Sequence, residues 1–187
     1  MYGYTFCVER FGNMENNLLI IGAGIYGLVA KEIAESMRCF DRIAFVDDRA
    51  SAAPDGMPVI GTAADLEHLH GTFNCVVVAI GSPAVRKNLL DRLERDGGFK
   101  IAALISPQAY ISPSAKIAKG CIIEPMAVIH AGAVLGQGTL VSAGAVVNHA
   151  AVCGEAVHVD CNAVVPGNVT VPEGTKVCSC TVYQKTE

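Results

Sequence analysis

Two histidines at a fixed spacing are the residues of this sequence best suited to chemistry. His149 follows Asn148, and His158 lies nine residues further along the chain. Histidine is the usual general base near neutral pH, and such a base activates an amine or a hydroxyl for attack on a thioester. Both histidines fall outside the repeated apolar positions around them, so we expect neither to be needed for packing. We also expect the two to share one site only across a subunit interface.

A zinc site is the alternative use of these side chains. With His130 they make three imidazoles, and three histidine ligands with one open position are typical of catalytic zinc, as in the γ-class carbonic anhydrases. Those enzymes place a close pair of histidines beside the metal, which this sequence lacks. We therefore expect no metal.

A glycine-rich turn is the second candidate site. The run Gly22-Ala23-Gly24-Ile25-Tyr26-Gly27 follows an apolar strand pattern and opens a helical one, and Asp47 lies 20 residues beyond Gly27. Glycines let backbone N–H groups at a helix N-terminus approach a phosphate, and an acidic residue accepts hydrogen bonds from ribose hydroxyls. The pattern predicts a nucleotide-binding site. The alternative interpretation is a tight turn that binds no ligand. Its predicted residues are Gly22, Gly24, Tyr26, Gly27, Asp47, Asp48 and Gly81.

The elements that position this turn form an α/β pattern. Apolar strands are predicted at Leu18 to Ile21, Arg42 to Val46 and Cys75 to Ile80, and a helix is predicted at Ala84 to Asp96. Alternating strands and helices indicate a parallel sheet, so residues 18–104 are predicted to form a Rossmann-like domain. Its small size favours a mononucleotide group over NAD. Residues 1–17 are predicted to be an N-terminal tail.

A strict period of six residues replaces this pattern from Ile105 onward. One column consists almost entirely of branched aliphatic residues, and a second column four residues later contains small or β-branched ones. The first column is Ile105, Ile111, Ile117, Ile123, Ile129, Leu135, Val141, Val147, Cys153, Val159, Val165, Val171 and Val177. Neither a helix nor a flat strand has this period, but a solenoid with faces six residues wide does. Residues 105–182 are therefore predicted to form a β-helix, and residues 183–187 a C-terminal tail.

Charge and composition limit the partners. The net charge is −4, and from Ile105 onward only four lysines and five acidic residues occur. So few charges predict an oligomer, and the absence of a basic patch excludes nucleic acid as a partner. No apolar run is long enough to span a membrane, and no signal peptide is visible. We expect a cytoplasmic protein with reduced thiols.

Together these motifs resemble one family of hexapeptide-repeat acyltransferases. The resemblance rests on Gly22 to Gly27, Asp47-Asp48, Pro58-Val59-Ile60-Gly61, the strand ending Ala79-Ile80-Gly81, Ile105-Ser106-Pro107 and Asn148-His149. The family comprises the sialic-acid O-acetyltransferases and the UDP-4-amino-sugar N-acetyltransferases of the PglD type. It implies a left-handed β-helix with coils of about 18 residues, assembled as a homotrimer.

The resemblance also implies roles for the candidate residues. It implies that His149 is the general base and that His158 contacts acetyl-CoA, and we assign Asn148 to the same cosubstrate. The resemblance further implies that the N-terminal domain holds a sugar linked to UDP. The alternative is a trimer that binds a nucleotide-sugar without turnover.

Three features depart from the family. Tyr26 stands where a histidine is common, and Ala150 stands where an acidic residue usually orients the base. We expect Glu155 or Asp160 to replace that acid, or the base to be weaker. The hexads stop soon after Thr181, whereas family members usually continue for one or two coils that wall the coenzyme A pocket.

Overall fold

The computed structural model describes residues 15–184. Its N-terminal part is a four-stranded parallel sheet in the order β2-β1-β3-β4, with helices between the strands. The elements are β1 (Asn17–Ile21), α1 (Ile25–Met37), β2 (Arg42–Val46), α2 (Leu66–Leu69), β3 (Cys75–Val78), α3 (Pro83–Asp96) and β4 (Lys100–Ile101). The predicted Rossmann-like arrangement is confirmed. Residues 1–14 of the predicted tail lie outside the described residues.

The C-terminal part is a parallel β-helix built from two-residue strands. They are β5 (Leu104–Ile105), β6 (Tyr110–Ile111), β7 (Lys116–Ile117), β8 (Ile122–Ile123), β9 (Val128–Ile129), β10 (Val134–Leu135), β11 (Leu140–Val141), β12 (Val146–Val147), β13 (Val152–Cys153), β14 (His158–Val159), β15 (Val164–Val165), β16 (Thr170–Val171) and β17 (Lys176–Val177). Each strand pairs with the third one before or after it, which makes three sheets. Val146, for example, pairs with both Val128 and Val164, so one coil takes 18 residues as predicted.

The two repeated columns point into the coils and form a continuous core. All the columns' residues from Cys121 to Val165 are buried, whereas several at the two ends of the β-helix are partly exposed. From Gly120 onward, one corner residue in each hexad adopts a positive φ, and Gly132, Asn162 and Asn168 are examples. Glycine and asparagine tolerate this left-handed conformation, which explains the polar corners between the columns.

One outer face of the β-helix is covered by the N-terminal domain. The outward residues of the sheet β5-β8-β11-β14-β17 are, in register, Leu104, Ile122, Leu140, His158 and Lys176. The first three are fully buried and belong to the same core as Ala30 and Ile33 of α1. Burial of this apolar area stabilises the junction, so the two predicted units form one packed body.

A second outer face carries an apolar stripe. In the sheet β6-β9-β12-β15 the outward residues stack in register as Tyr110, Val128, Val146, Val164 and Val182. None is fully buried, and Tyr110 and Val182 are each 56% exposed. The stripe is continuous along the solenoid axis, which is the property expected of a subunit interface.

Candidate active site

His149 lies at an exposed corner between β12 and β13, outside the inward columns as predicted. Its ring Nδ1 lies 2.9 Å from Asn148 Oδ1, and the same oxygen accepts a hydrogen bond of 2.8 Å from the His149 backbone N–H. On the other side of the ring, Nε2 lies 3.4 Å from the amide nitrogen of Asn168. The imidazole is therefore exposed but held on both edges.

Gly167 lies directly under this ring. A Cβ atom at position 167 would lie 2.6 Å from Cε1 of His149, which is closer than real side chains approach. Gly167 is not among the site residues predicted from the sequence. The repeat did indicate this contact, because residue 167 lies 18 residues, or one coil, beyond His149. The two residues therefore occupy the same position on adjacent coils.

The missing acid at position 150 is not replaced by either expected residue. Ala150 occupies a left-handed corner with φ 52°, and its side chain carries no polar atom. Glu155 forms an ion pair of 2.8 Å with Lys87, and Asp160 forms one of 3.0 Å with Lys176. The expectation that Glu155 or Asp160 orients the base is therefore corrected for the described chain. Asn148 is the residue that contacts the ring.

His158 has a different setting from the one predicted. It is a strand residue of β14, only 8% exposed, and not an exposed corner. Its Nε2 lies 3.1 Å from the Ser142 hydroxyl and 3.9 Å from an Asp160 oxygen. The prediction that packing does not require His158 is wrong, because the covering domain buries the outer face of its sheet. No contact joins it to His149 within the described part of one chain.

Burial also sets the charge of His158. Loss of solvent lowers its pKa to about 4, against the opposing effect of Asp160, and the positive charges of Lys176 and Arg86 lower it further. The ring is therefore neutral at physiological pH. Its Nδ1 is buried without a hydrogen-bond partner among the described residues, which is uncommon for a buried polar atom.

Tyr26 connects this histidine to the glycine turn. It lies in the first turn of α1, and its ring centroid is 6.4 Å from that of His158. The Tyr26 hydroxyl is likewise buried and lies near the Glu124 carboxylate, without a close hydrogen bond to it or to another described residue. Burial, and then the nearby Glu124 carboxylate, raise the pKa of Tyr26 well above its ordinary value. Two buried polar atoms without a close hydrogen bond, the Tyr26 hydroxyl oxygen and His158 Nδ1, thus lie at the junction of the two domains.

The three glycines of the turn have separate roles. Gly22 has φ +107°, and a side chain at Gly27 would overlap the carbonyl oxygen of Gly22. These two glycines therefore allow the close approach of α1 to β1. Gly24 is exposed, has an ordinary φ of −79°, and nothing lies within 4 Å of the position of a Cβ atom. No side chain caps the start of α1, so its N-terminus is open to a ligand.

Asp47 holds this turn in place. One carboxylate oxygen accepts a hydrogen bond of 2.8 Å from the backbone N–H of Ala23, and the other accepts bonds from the N–H groups of Arg49 and Ala50. Burial by itself raises the pKa of Asp47, but these hydrogen bonds outweigh it and lower the pKa. The neighbouring Asp48 is exposed and accepts a hydrogen bond from the backbone N–H of Ala63.

Gly81 is positioned by a residue that the sequence analysis missed. Arg86 of α3 is completely buried, and its Nη1 donates to the carbonyl oxygens of Ile80 and Gly81 at 2.7 and 3.1 Å. Its other nitrogens donate to the carbonyls of Gly138 and Ala156, both at 2.7 Å. Burial lowers the pKa of Arg86 to about 10, so it remains charged. The sequence gives no signal for it, because Arg86 looks like an ordinary polar residue on an amphipathic helix.

The remaining histidines and cysteines do not cluster around a common point in the described residues. Within residues 15–184, no three His, Cys, Asp or Glu side chains are close enough to hold a metal ion. His130 packs beside the Tyr110 ring at 6.4 Å. No disulfide joins the cysteines of the described residues to one another. None of the helices in that range is long and apolar enough to cross a membrane.

Comparison with known proteins places this geometry in a family. The PglD N-terminal domain family matches residues 17–93, the segment that carries the glycine turn and Arg86. The acetyltransferase domain of PglB from Neisseria gonorrhoeae FA1090 is 34% identical, with 90% of this chain and 82% of that chain covered and a TM-score of 0.85. The chain belongs to the PglD-type family of hexapeptide-repeat acetyltransferases. It is therefore an acyltransferase, and its β-helix is the left-handed kind.

Two further structures are similar to this PglD-type chain. The same PglB domain in complex with acetyl coenzyme A is 30% identical, with 90% of this chain and 93% of that chain covered and a TM-score of 0.78. A GDP-perosamine N-acetyltransferase variant from Caulobacter crescentus, in complex with CoA and GDP-perosamine, is 24% identical. The match covers 86% of this chain and 92% of that chain, and the TM-score of 0.60 indicates a shared fold. None of the curated proteins compared with the chain matches it.

Proposed function

We propose that this PglD-type chain transfers an acetyl group from acetyl-CoA to an amino or hydroxyl group of a nucleotide-linked sugar, with His149 as the general base. The observation that carries the proposal is the setting of the His149 imidazole, which is exposed at a corner and held on both edges. Membership of the family supports the reaction class. The complex of the PglB domain with acetyl coenzyme A supports the choice of cosubstrate.

His149 accepts one proton from the acceptor in the proposed reaction and later donates it to the leaving group. The imidazole removes a proton from the acceptor nitrogen or oxygen as that atom attacks the thioester carbonyl carbon. The carbon–sulfur bond then breaks, and the imidazolium returns the proton to the coenzyme A sulfur. The acetylated sugar and the free thiol of coenzyme A are the products, and no metal takes part in the proposed steps.

The acceptor site that we propose is the open N-terminus of α1. Gly24 leaves space there, and unpaired N–H groups at a helix start favour a phosphate. Both oxygens of Asp47 already hold backbone N–H groups, so its main contribution is to fix the turn, with its remaining lone pairs free for a ribose. Asp48 and Gly81 would border the same crevice. The sugar would then extend toward the buried hydroxyl of Tyr26.

His158 and Asn148 are the proposed contacts to acetyl-CoA. The His158 ring lies beside that of Tyr26, and its unpaired Nδ1 is the atom that would bond the cosubstrate close to the proposed acceptor site. The oxygen of Asn148 is engaged by His149, which leaves the amide nitrogen of its side chain for the cosubstrate. In this proposal residues 18–104 bind the acceptor, and residues 105–182 carry the groups that take part in acyl transfer.

A homotrimer completes the proposed site. Within residues 15–184 of one chain, His149 and His158 have no contact, so a site that uses both needs a neighbouring subunit. The apolar stripe of Tyr110, Val128, Val146, Val164 and Val182 offers the surface for such an assembly. Sedimentation equilibrium at micromolar concentration would overturn this part of the proposal if it found a monomer.

A thiol-release assay tests the function. Acetyl-CoA is supplied with a panel of UDP- and GDP-linked amino sugars and with sialic acids, and wild type is compared with His149→Ala and His158→Ala. A positioned general base contributes about a hundredfold to ten-thousandfold, so kcat of His149→Ala should fall by that factor. His158→Ala should raise KM for acetyl-CoA more than it lowers kcat. Equal turnover by His149→Ala would contradict the base assignment, and binding of a nucleotide-sugar without any turnover would favour a noncatalytic trimer.

A further inference from the structure

The orientation of the Asn148 amide is determined by its contacts. Its Oδ1 atom receives the His149 backbone N–H at 2.8 Å, and a backbone N–H can only donate. The atom at that position must therefore be the carbonyl oxygen of the side chain, since the amide nitrogen has no lone pair to accept the bond. This fixes the amide orientation without any assumption about hydrogen positions.

The same oxygen lies 2.9 Å from Nδ1 of the His149 ring. An amide oxygen can only accept, so the ring nitrogen that faces it must carry the proton. A neutral imidazole has one N–H, and its second nitrogen then has a free lone pair. That second nitrogen, Nε2, lies 3.4 Å from the side-chain amide nitrogen of Asn168. An amide nitrogen can only donate, so this contact is compatible with a lone pair on Nε2.

Neither residue 150 nor the two expected acids can do this at the same corner. Ala150 has no polar side-chain atom, Glu155 is paired with Lys87, and Asp160 is paired with Lys176. Gly167 leaves the space in which the ring lies, which keeps Nδ1 against Asn148. The neutral amide of Asn148 is thus the group that selects the protonated nitrogen of His149.

We propose that Asn148 is a positioning residue that holds neutral His149 as the Nδ1–H tautomer, with Nε2 as the proton-accepting atom. The inference rests on the proposed function in one respect, namely that His149 is the base. It deepens that function by naming the atom that receives the proton. When Nε2 takes the proton from the acceptor, Nδ1–H stays bound to the Asn148 oxygen, so the ring does not have to turn during the reaction.

The test reads the tautomer directly in the resting protein. Histidine labelled with ¹⁵N is introduced, the His149 signals are assigned by their loss in His149→Gln, and two-bond ¹⁵N–¹H correlations are recorded at pH 8 without substrates. Wild type should show the Nδ1–H pattern for His149. Asn148→Ala should show a mixture of tautomers, and its kcat should fall by about tenfold to a hundredfold, less than the loss of the base itself.

Two variants control for a merely structural role. Asn148→Asp keeps the accepting oxygen, so it should retain the Nδ1–H tautomer. Its charge favours the protonated ring, so the acidic side of its kcat–pH profile should move to higher pH. Asn168→Gly removes the contact to Nε2 and keeps the left-handed backbone of φ 59°, so it should leave the tautomer unchanged.

An Nε2–H pattern in wild type would overturn the proposal, and so would an unchanged tautomer in Asn148→Ala. The proposed function fails in a different way. If His149→Ala turned over substrate at the wild-type rate while wild type showed Nδ1–H, the tautomer assignment would stand and the role of His149 as base would be lost.

Discussion

The imidazole of His149 occupies the space that any side chain at Gly167 would need. Cε1 of the ring would lie 2.6 Å from a Cβ atom built on Gly167, although the two residues are 18 positions apart in the chain. The corner that carries the proposed base is therefore shaped by the next coil, and a residue without chemistry of its own determines where the ring lies.

Gly167→Ala should slow the reaction with little effect on folding. The added methyl group displaces the ring, and a displacement of about 1 Å at a reacting group costs on the order of a hundredfold in rate. Gly167 does not have a positive φ, so alanine introduces no backbone strain there. Steady-state kinetics and thermal unfolding are the measurements. Gly71→Ala, where a Cβ atom meets nothing within 4 Å, is the matched control, and equal kcat for the two variants would contradict the prediction.

Gly24→Ala and Gly27→Ala should separate ligand binding from folding. Saturation with a UDP-sugar at a hundredfold over Kd stabilises the chain by about 2.7 kcal/mol, which raises Tm by roughly 5 to 10 °C. Gly24→Ala should keep the Tm of the free protein within a few degrees but lose most of this shift, because the methyl group fills the open turn. Gly27→Ala should have a low Tm without ligand. A full ligand shift in Gly24→Ala would mean that the turn is only structural.

Arg86→Met should destabilise the junction between the domains. Methionine fills much of the volume but leaves the carbonyls of Gly138 and Ala156 buried without donors, at about 1 to 3 kcal/mol for each unsatisfied group. A total of about 3 kcal/mol lowers Tm by roughly 6 to 12 °C. Arg92→Met is the control, because Arg92 lies on the same helix but is exposed and pairs with Asp96 at the surface. Similar Tm values for the two variants would refute the role of Arg86.

Acid should weaken the fold partly through His158. Its pKa is lowered by burial to about 4 in the folded chain, against about 6.5 when unfolded, so the unfolded chain binds the additional proton between these values. Stability therefore falls as pH decreases from about 6.5 to 4, by about 3 kcal/mol for this group. Urea unfolding at pH 7 and pH 4.5 should show a smaller loss for His158→Gln than for wild type. His68→Gln, an exposed residue of α2, should behave like wild type.

The repeat could be predicted from sequence because its physical cause is local. An inward column at every sixth residue specifies the coil, and the register of Val128, Val146 and Val164 follows from it. The glycine turn was predicted for the same reason, since the φ of Gly22 and the close approach of Gly27 are properties of one short segment. Burial of the inward columns confirms this part of the analysis.

The parts that were missed depend on contacts between distant segments. Arg86 is buried only because α3 packs against two coils of the β-helix, and His158 is buried only because α1 covers its sheet. Outward positions of a solenoid carry no sequence signal for what lies on them. The contact between Asn148 and the His149 ring was also not predicted, because the orientation of an amide depends on its two partners and not on its position in the hexad.

The face of the β-helix covered by the N-terminal domain limits how this chain can evolve. Solenoids commonly lengthen by duplication of whole coils, each of which adds about 4.8 Å along the axis. On this face Leu104, Ile122 and Leu140 lie under the domain, and His158 is the next residue in register, beside Tyr26. A coil duplicated between Leu104 and His158 would carry the histidine away from its tyrosine, whereas one duplicated after Val159 would not. Growth of the repeat is therefore tolerated on one side of His158 only.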